Sequence, residues 1–202
     1  MKLEFNDCIL AAWAAHFRPG LWELIDENGD YKELFIIHLL RNIHQSAEVL
    51  YVNAEFNLGF HWNYLRSGDG PIFFNHNHGK AVLSVCELFL KNDLAQIVVI
   101  DSAFSLLFPD DGDRVAFFRR LSALAAEHST WVIVVNYKFK QGSYFDDEIM
   151  GFLEVRLFLS GIHFSGEDLL VAETLKNSSF SYPHLHLLNC GHSMDIRGLD
   201  AF

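Results

Sequence analysis

The sequence predicts an α/β domain with a mostly parallel sheet flanked by helices and an antiparallel C-terminal end. Two apolar, β-branched runs, Gln96–Ile100 and Trp131–Asn136, are typical of parallel strands that are buried on both faces. Stretches with apolar residues at helical spacing separate these runs. Beyond Leu153 the apolar residues alternate with polar ones, which favours antiparallel strands.

The first part of the chain is predicted to contain three strands, one long helix and two short helices, the short ones at Cys8–Ala15 and His61–Leu65. Alternation predicts the first strand, and two overlapping apolar stripes predict a largely buried helix. The predicted bounds are Gly20–Ile25 (strand), Asp26–Lys32 (polar loop), Glu33–Gln45 (helix), Glu48–Glu55 (strand) and Pro71–Asn75 (strand).

The second part continues the alternation of helices and strands. A turn at Pro109–Gly112 is predicted to precede the second helix of this part, because Pro, Asp and Gly favour turns. The remaining predicted elements are Lys80–Lys91 (helix), Arg114–His128 (helix), Tyr137–Met150 (polar loop), Leu169–Leu175 (strand) and His184–Leu188 (strand).

Composition predicts one soluble intracellular domain over residues 1–202, with a short N-terminal extension at 1–19. Half of the residues are hydrophobic, so the chain can bury a sizeable core. The three cysteines lack CxxC spacing, which suits a reducing compartment. The formal net charge of -11 excludes a generally basic surface. Any binding of nucleic acid must therefore be local or shared with a partner.

Two acids are predicted to lie at the carboxyl ends of neighbouring strands. Glu55 ends the second strand, and Asp101 follows the apolar run Gln96–Ile100. Open α/β sheets keep their chemistry at this edge, and two such acids could share a metal ion. Roles in capping or in a hydrogen-bond network are the simpler interpretation. We therefore expect no metal site, and we interpret His76 and His78 as surface residues.

The order of these elements resembles the ATPase core of the RecA family of recombinases, from Gly20 to about Cys190. Three strands carry the resemblance through the residues at their carboxyl ends, and a C-terminal hairpin extends it. In the family, these strands end on the catalytic glutamate, on the Walker B aspartate and on an amide that senses nucleotide. The matching stretches are Val49–Glu55, Ile97–Ser102, Val132–Tyr137, Phe152–Gly161 and Leu169–Asn177.

The phosphate loop departs from the family pattern GxxxxGK[ST]. Asp26 and Tyr31 stand at its two glycine positions, Glu33 replaces the Ser or Thr, and only Lys32 is kept. Four carboxylates in and beside the loop would repel a triphosphate. Tyr137 also replaces the sensor amide. We therefore expect no cofactor and no catalysis, with Glu55 and Asp101 as vestigial acids and Lys32 as a solvated residue at a helix start.

The resemblance implies a non-catalytic recombinase paralog, as in the Shu complex, whose small subunits have this fold without phosphate loops. Such a chain would pair with a second RecA-like subunit and promote recombinase filaments on single-stranded DNA. It would be nuclear in a eukaryote and cytoplasmic otherwise. Two alternatives stay open: a cell-division inhibitor like SulA that binds a tubulin-like GTPase, and an ATPase with an atypical phosphate loop.

Candidate DNA contacts lie in the loop Tyr137–Met150, at the place of the family's second DNA-binding loop. Its basic and aromatic residues suit unpaired bases, although the acidic run Asp146–Glu148 opposes them. Arg114 lies near the position of the first DNA-binding loop. We expect weak binding to single-stranded or forked DNA, mainly in a complex, through Lys138, Phe139, Lys140, Tyr144 and Arg114.

The altered phosphate loop predicts that nucleotide does not bind. Calorimetric titration of the protein with ATP and magnesium should show no saturable heat, because carboxylates replace the groups that wrap phosphate. A dissociation constant below about 100 μM, which corresponds to roughly -5.5 kcal/mol, would contradict this prediction. The matched control is a titration with magnesium alone.

Overall fold

The structure is a computed structural model that describes residues 18–27, 31–32, 35–36, 39, 48–56, 71–137, 147–164, 167–177, 185–189 and 196–198. Within these ranges the strands form a single nine-stranded sheet with the order β3-β2-β4-β5-β1-β6-β7-β8-β9. The strands are β1 (Gly20–Asp26), β2 (Val49–Asn53), β3 (Ile72–Phe74), β4 (Ile97–Asp101), β5 (Trp131–Tyr137), β6 (Val155–Phe164), β7 (Glu167–Asn177), β8 (Leu185–Asn189) and β9 (Ile196–Gly198).

The sheet has a parallel half and an antiparallel half, as predicted. Strands β3, β2, β4, β5, β1 and β6 pair in parallel in that spatial order. Strands β6 to β9 then pair antiparallel. Every residue of β4 is buried, which fits a central strand covered on both faces. These pairings confirm the predicted α/β fold class.

Three helices with described bounds accompany the sheet: α1 (Gly79–Lys91), α2 (Asp111–Glu127) and the short α3 (Asp147–Met150). Residues 31, 32, 35, 36 and 39 are also helical, and we call them the first helical segment. In the part of the chain that the structure describes, no helix combines the length and apolar character needed to span a membrane.

Several helix boundaries differ from the prediction. Tyr31 and Lys32 are already helical, although the sequence predicted a loop up to Lys32, and α1 begins at Gly79 rather than Lys80. Helix α2 begins at Asp111 rather than Arg114, because the Asp110 carboxylate accepts a hydrogen bond from the Asp113 backbone N–H at 2.8 Å and caps the helix. The Pro-Asp-Asp-Gly sequence therefore starts the helix as well as turning the chain. The end of the predicted loop Tyr137–Met150 is helical as α3.

A separate apolar core lies on each face of the sheet. One core contains the first helical segment and a stacked pair of rings, Trp22 and Trp131, with centroids 4.8 Å apart. The other contains α1 and α2, including Cys86 and Phe118. Alternate residues of the parallel strands supply both cores because successive side chains point to opposite faces.

The register of the parallel strands brings four predicted site residues to one edge. Asp26 pairs with Tyr137 across β1 and β5, and Asn53 pairs with Asp101 across β2 and β4. Glu55 follows Asn53 by two residues. The carboxyl ends of these four neighbouring strands therefore position the candidate site.

Packing at the start of α1 predicts that Gly79→Ala destabilises the fold. A methyl group at this buried glycine would overlap the ring of Phe108, which is packed into the second core. We expect a loss of about 1–3 kcal/mol in the free energy of unfolding, measured with urea. The control is Gly112→Ala in the exposed first turn of α2. The added methyl group would lie 3.2 Å from Oδ1 of the exposed Asp110, which can shift, so we expect a change of about 1 kcal/mol or less. Equal effects of the two variants would contradict the packing argument.

Candidate functional site

The Asp26 side chain caps the N-terminal end of the first helical segment. Its carboxylate is fully buried, and Oδ2 accepts hydrogen bonds from the backbone N–H groups of Tyr31 at 2.9 Å and Lys32 at 2.7 Å. The first N–H groups of a helix lack partners within the helix, and they attract anions such as phosphate. Here a carboxylate of the same chain takes the place of that anion.

Lys32 is buried, so the predicted solvated position is wrong. Only 5% of its side chain is exposed, and Nζ lies 2.8 Å from Asp101 Oδ1 and 3.3 Å from Glu55 Oε2. Nζ also donates to the Tyr137 hydroxyl and lies 4.5 Å from the centroid of its ring. Lys32 can be buried because the carboxyl ends of β2 and β4 bring the Glu55 and Asp101 carboxylates within reach of its ammonium group.

Two tyrosines complete the network around Lys32. The Tyr51 hydroxyl donates to Asp101 Oδ2 at 2.5 Å, and the Tyr137 hydroxyl donates to Glu55 Oε2 at 2.7 Å. Burial and the neighbouring carboxylates raise the pKa of Tyr137 above its ordinary range, so this hydroxyl keeps its proton. We call Lys32, Tyr51, Glu55, Asp101 and Tyr137 the lysine network.

The pKa values of the two acids in the lysine network are shifted in opposite directions. Burial raises the pKa of Asp101, against the opposing effects of the Lys32 charge and the Tyr51 hydrogen bond. Burial also acts to raise the pKa of Glu55, but hydrogen bonds from Tyr137 and Ser102, together with Lys32, outweigh it and lower that pKa. Removing the lysine would leave both acids without the positive charge that opposes their desolvation.

Asn136, one residue before the expected sensor position, is also bonded inside the protein. Its Nδ2 donates to Glu23 Oε1 at 2.9 Å, and Arg156 Nε lies 2.8 Å from Glu23 Oε2. Glu23 is completely buried, and this burial raises its pKa despite the Arg156 charge. Sequence reasoning missed Glu23, Tyr51 and Arg156. A single acid in the apolar run of β1 was the available signal, because such an acid needs a buried partner.

The geometry leaves the described phosphate-loop groups engaged with other groups of the chain. The helix-start N–H groups bind Asp26, and the Lys32 ammonium binds Asp101 and Glu55. Within the described ranges there is also no set of three or more His, Cys, Asp and Glu side chains placed to hold a metal ion. Nucleotide binding at these groups would have to break these hydrogen bonds and ion pairs.

Most of the candidate DNA contacts lie outside the described residues. This holds for Lys138, Phe139, Lys140 and Tyr144, and also for the phosphate-loop residue Glu33. Arg114 is described: it lies in the first turns of α2, and its Nη2 is 3.5 Å from Asp111 Oδ1. The DNA contacts therefore stay predictions.

Comparison with known proteins identifies the fold. No protein-family model matches the sequence, and no curated protein matches it. Among solved structures, the chain is similar to the flagellar accessory protein FlaH from Methanocaldococcus jannaschii. The two share 16% sequence identity with a TM-score of 0.68, over 96% of this chain and 99% of that chain. The fold is RecA-like.

Burial of the lysine network predicts that Lys32→Met is strongly destabilising. The substitution leaves Asp101 and Glu55 without their cation, and removing one partner of a buried pair costs about 3–5 kcal/mol. The control is Lys91→Met, since Lys91 is half exposed and pairs with Glu87 only at the surface. We expect the control to cost about 1 kcal/mol or less by urea unfolding.

The stability lost in Lys32→Met should depend on pH, and the loss should become smaller as the pH falls. Without Lys32, the pKa of Asp101, which burial already raises, rises further, and the pKa of Glu55 rises from its lowered value. The variant therefore loses less stability than the wild type as the pH falls from neutral towards about 5. The difference in the free energy of unfolding between the variant and the wild type should therefore be smaller at low pH. If Lys32→Met does not fold, the double variant Lys32→Met/Asp101→Asn should recover part of the loss. A wild-type-like stability of Lys32→Met would contradict the lysine network.

Proposed function

We propose that this chain is a non-catalytic RecA-like subunit that promotes the assembly of a recombinase filament on single-stranded DNA. It would act together with a second RecA-like chain in recombination and repair, as the small subunits of the Shu complex do. Its place would be the nucleus in a eukaryote and the cytoplasm otherwise. The observation that carries the non-catalytic part is the burial of Lys32 between Asp101 and Glu55.

The lysine network supports a role without ATP hydrolysis. A phosphate-loop ATPase needs its lysine, its helix-start N–H groups and its acids available to phosphate and magnesium. In this chain the N–H groups of Tyr31 and Lys32 bind Asp26, and the lysine neutralises the acids. Binding of nucleotide would require breaking buried, charge-assisted hydrogen bonds, which are among the stronger ones in proteins.

A RecA-like chain without hydrolysis can still act as an assembly surface, which is why a partner belongs to the proposal. Several large apolar side chains are exposed among the described residues, including Phe56, Phe104 and Leu107. Phe104 and Leu107 lie together at one cavity, and exposed apolar side chains that cluster on a surface are typical of protein interaction sites. This supports a partner chain without identifying it.

The DNA contacts of the proposal rest on the sequence after β5. Lys138 and Lys140 lie two residues apart, and Phe139 and Tyr144 supply rings for stacking on bases. The net charge of -11 opposes DNA at long range, but salt screens it beyond about 8 Å. A local contact through this loop is therefore compatible with the acidic chain. Arg114 is the weaker candidate, because it already pairs with Asp111.

The function predicts that the complex purified through a tag on this chain accelerates recombinase filament growth on single-stranded DNA. The recombinase comes from the same organism, and fluorescence of the labelled strand reports filament growth. Lys138→Ala/Lys140→Ala should weaken DNA binding of the complex and reduce its salt slope by about 1–2.

The matched control removes the same charge elsewhere. Lys80 and Lys91 are exposed on α1, and Lys80→Ala/Lys91→Ala should leave the salt slope and the filament growth unchanged. An unchanged rate of filament growth on adding the wild-type complex would overturn the proposed function. Equal effects of the two double variants would instead show that this loop is not the DNA contact.

A further inference from the structure

A cavity of about 450 Å³ lies beside the carboxyl edge of the sheet, between the turn after β4 and the beginning of α2. Its volume is within the range of ligand sites, about 300–1,000 Å³. Phe104, Leu107, Phe108, Asp110, Arg114 and Asn136 are among the residues that line it. None of the residues of the lysine network lines it, so the cavity is distinct from the filled nucleotide site.

The rim of the cavity is apolar and exposed, whereas its back wall is fixed. Phe104 is 65% exposed and Leu107 is 57% exposed. Phe108 is half-buried, and its ring centroid lies 5.2 Å from that of Phe117 and 6.4 Å from that of Phe118. An apolar side chain entering the cavity would bury the two exposed rim residues against a wall that is already packed.

The charged groups at the mouth favour a basic ligand. Among the described residues that line the cavity, the charged ones are two carboxylates, Asp110 and Asp111, and one cation, Arg114, which already pairs with Asp111 at 3.5 Å. At the floor, the Nδ2 donor of Asn136 is already bonded to Glu23. A ligand that brings N–H donors and positive charge therefore suits this site, whereas a phosphate would meet two carboxylates.

From this apolar rim and acidic mouth, we infer that the cavity binds a short segment of a partner protein in which an apolar side chain is flanked by lysine or arginine. The inference deepens the proposed function, since it gives the chemistry of a partner contact and rests on the role as a subunit. A second copy of this chain is disfavoured because each copy carries a net charge of -11. A nucleic acid is disfavoured by the two carboxylates.

The test uses two synthetic peptides of equal length, acetyl-GKLFKG-amide and acetyl-GELFEG-amide, and a short oligo-dT strand. Saturation-transfer NMR observed on the ligand, with the purified full-length chain, measures the dissociation constant of each probe. We expect the basic peptide to bind at least about threefold more tightly than the acidic peptide, since each carboxylate at the mouth attracts one and repels the other.

Matched variants locate the binding. Leu107→Ala should weaken binding of the basic peptide about threefold or more through lost apolar contact. Leu88→Ala, on α1, changes a leucine that is also 57% exposed and should leave the constant within about twofold. Asp111→Asn should weaken binding of the basic peptide but not binding of the acidic one. The control is Asp93→Asn, which changes an exposed carboxylate that does not line the cavity.

Each contrary result overturns the inference. Equal binding of the two peptides, equal effects of Leu107→Ala and Leu88→Ala, or no saturable binding would show that the cavity does not take this segment. Oligo-dT binding that depends on Leu107 would assign the cavity to nucleic acid, and self-association that depends on Leu107 would assign it to a second copy. The filament-growth assay decides the proposed function independently, so its failure is distinguishable from failure of this inference.

Discussion

The Lys32 ammonium cannot be buried without anions, and this constraint organises the carboxyl edge of the sheet. An unpaired charge in a protein interior is strongly unfavourable, whereas a paired and hydrogen-bonded one is tolerated. Asp101 and Glu55 supply the negative charges. Tyr51 donates a hydrogen bond to the second oxygen of Asp101, and Tyr137 donates one to the Glu55 oxygen that Lys32 also contacts. Four parallel strands must therefore end in a fixed register around the first helical segment.

The network also explains why acids in the phosphate loop are compatible with the RecA-like fold. The family pattern has glycine where Asp26 stands, and the loop then wraps a phosphate. In this chain the Asp26 carboxylate itself accepts hydrogen bonds from the backbone N–H groups of Tyr31 and Lys32. Asp26 therefore makes the hydrogen bonds that a phosphate makes in the family pattern, and these N–H groups have partners without a ligand.

The sequence was sufficient for the parallel strands because their apolar runs are local signals. It also placed Glu55 and Asp101 at one edge, since the carboxyl ends of parallel strands meet there. Lys32 was misplaced because its partners are distant in the chain: Glu55, Asp101 and Tyr137 are separated from it by 23, 69 and 105 positions. No local pattern reveals such contacts. The start of α2 was missed because the same Asp residues favour both turns and helix caps.

We expect side chains of the chain itself to keep nucleotide out of the place that the family pattern uses for phosphate. A crystal structure grown with magnesium and a non-hydrolysable ATP analogue tests it most directly. We expect Lys32 Nζ to stay on Asp101 and Glu55 and the Asp26 carboxylate to keep its hydrogen bonds from the N–H groups of Tyr31 and Lys32, with no nucleotide bound there. Phosphate oxygens on those two N–H groups, with Asp26 turned away and Lys32 on the nucleotide, would contradict it.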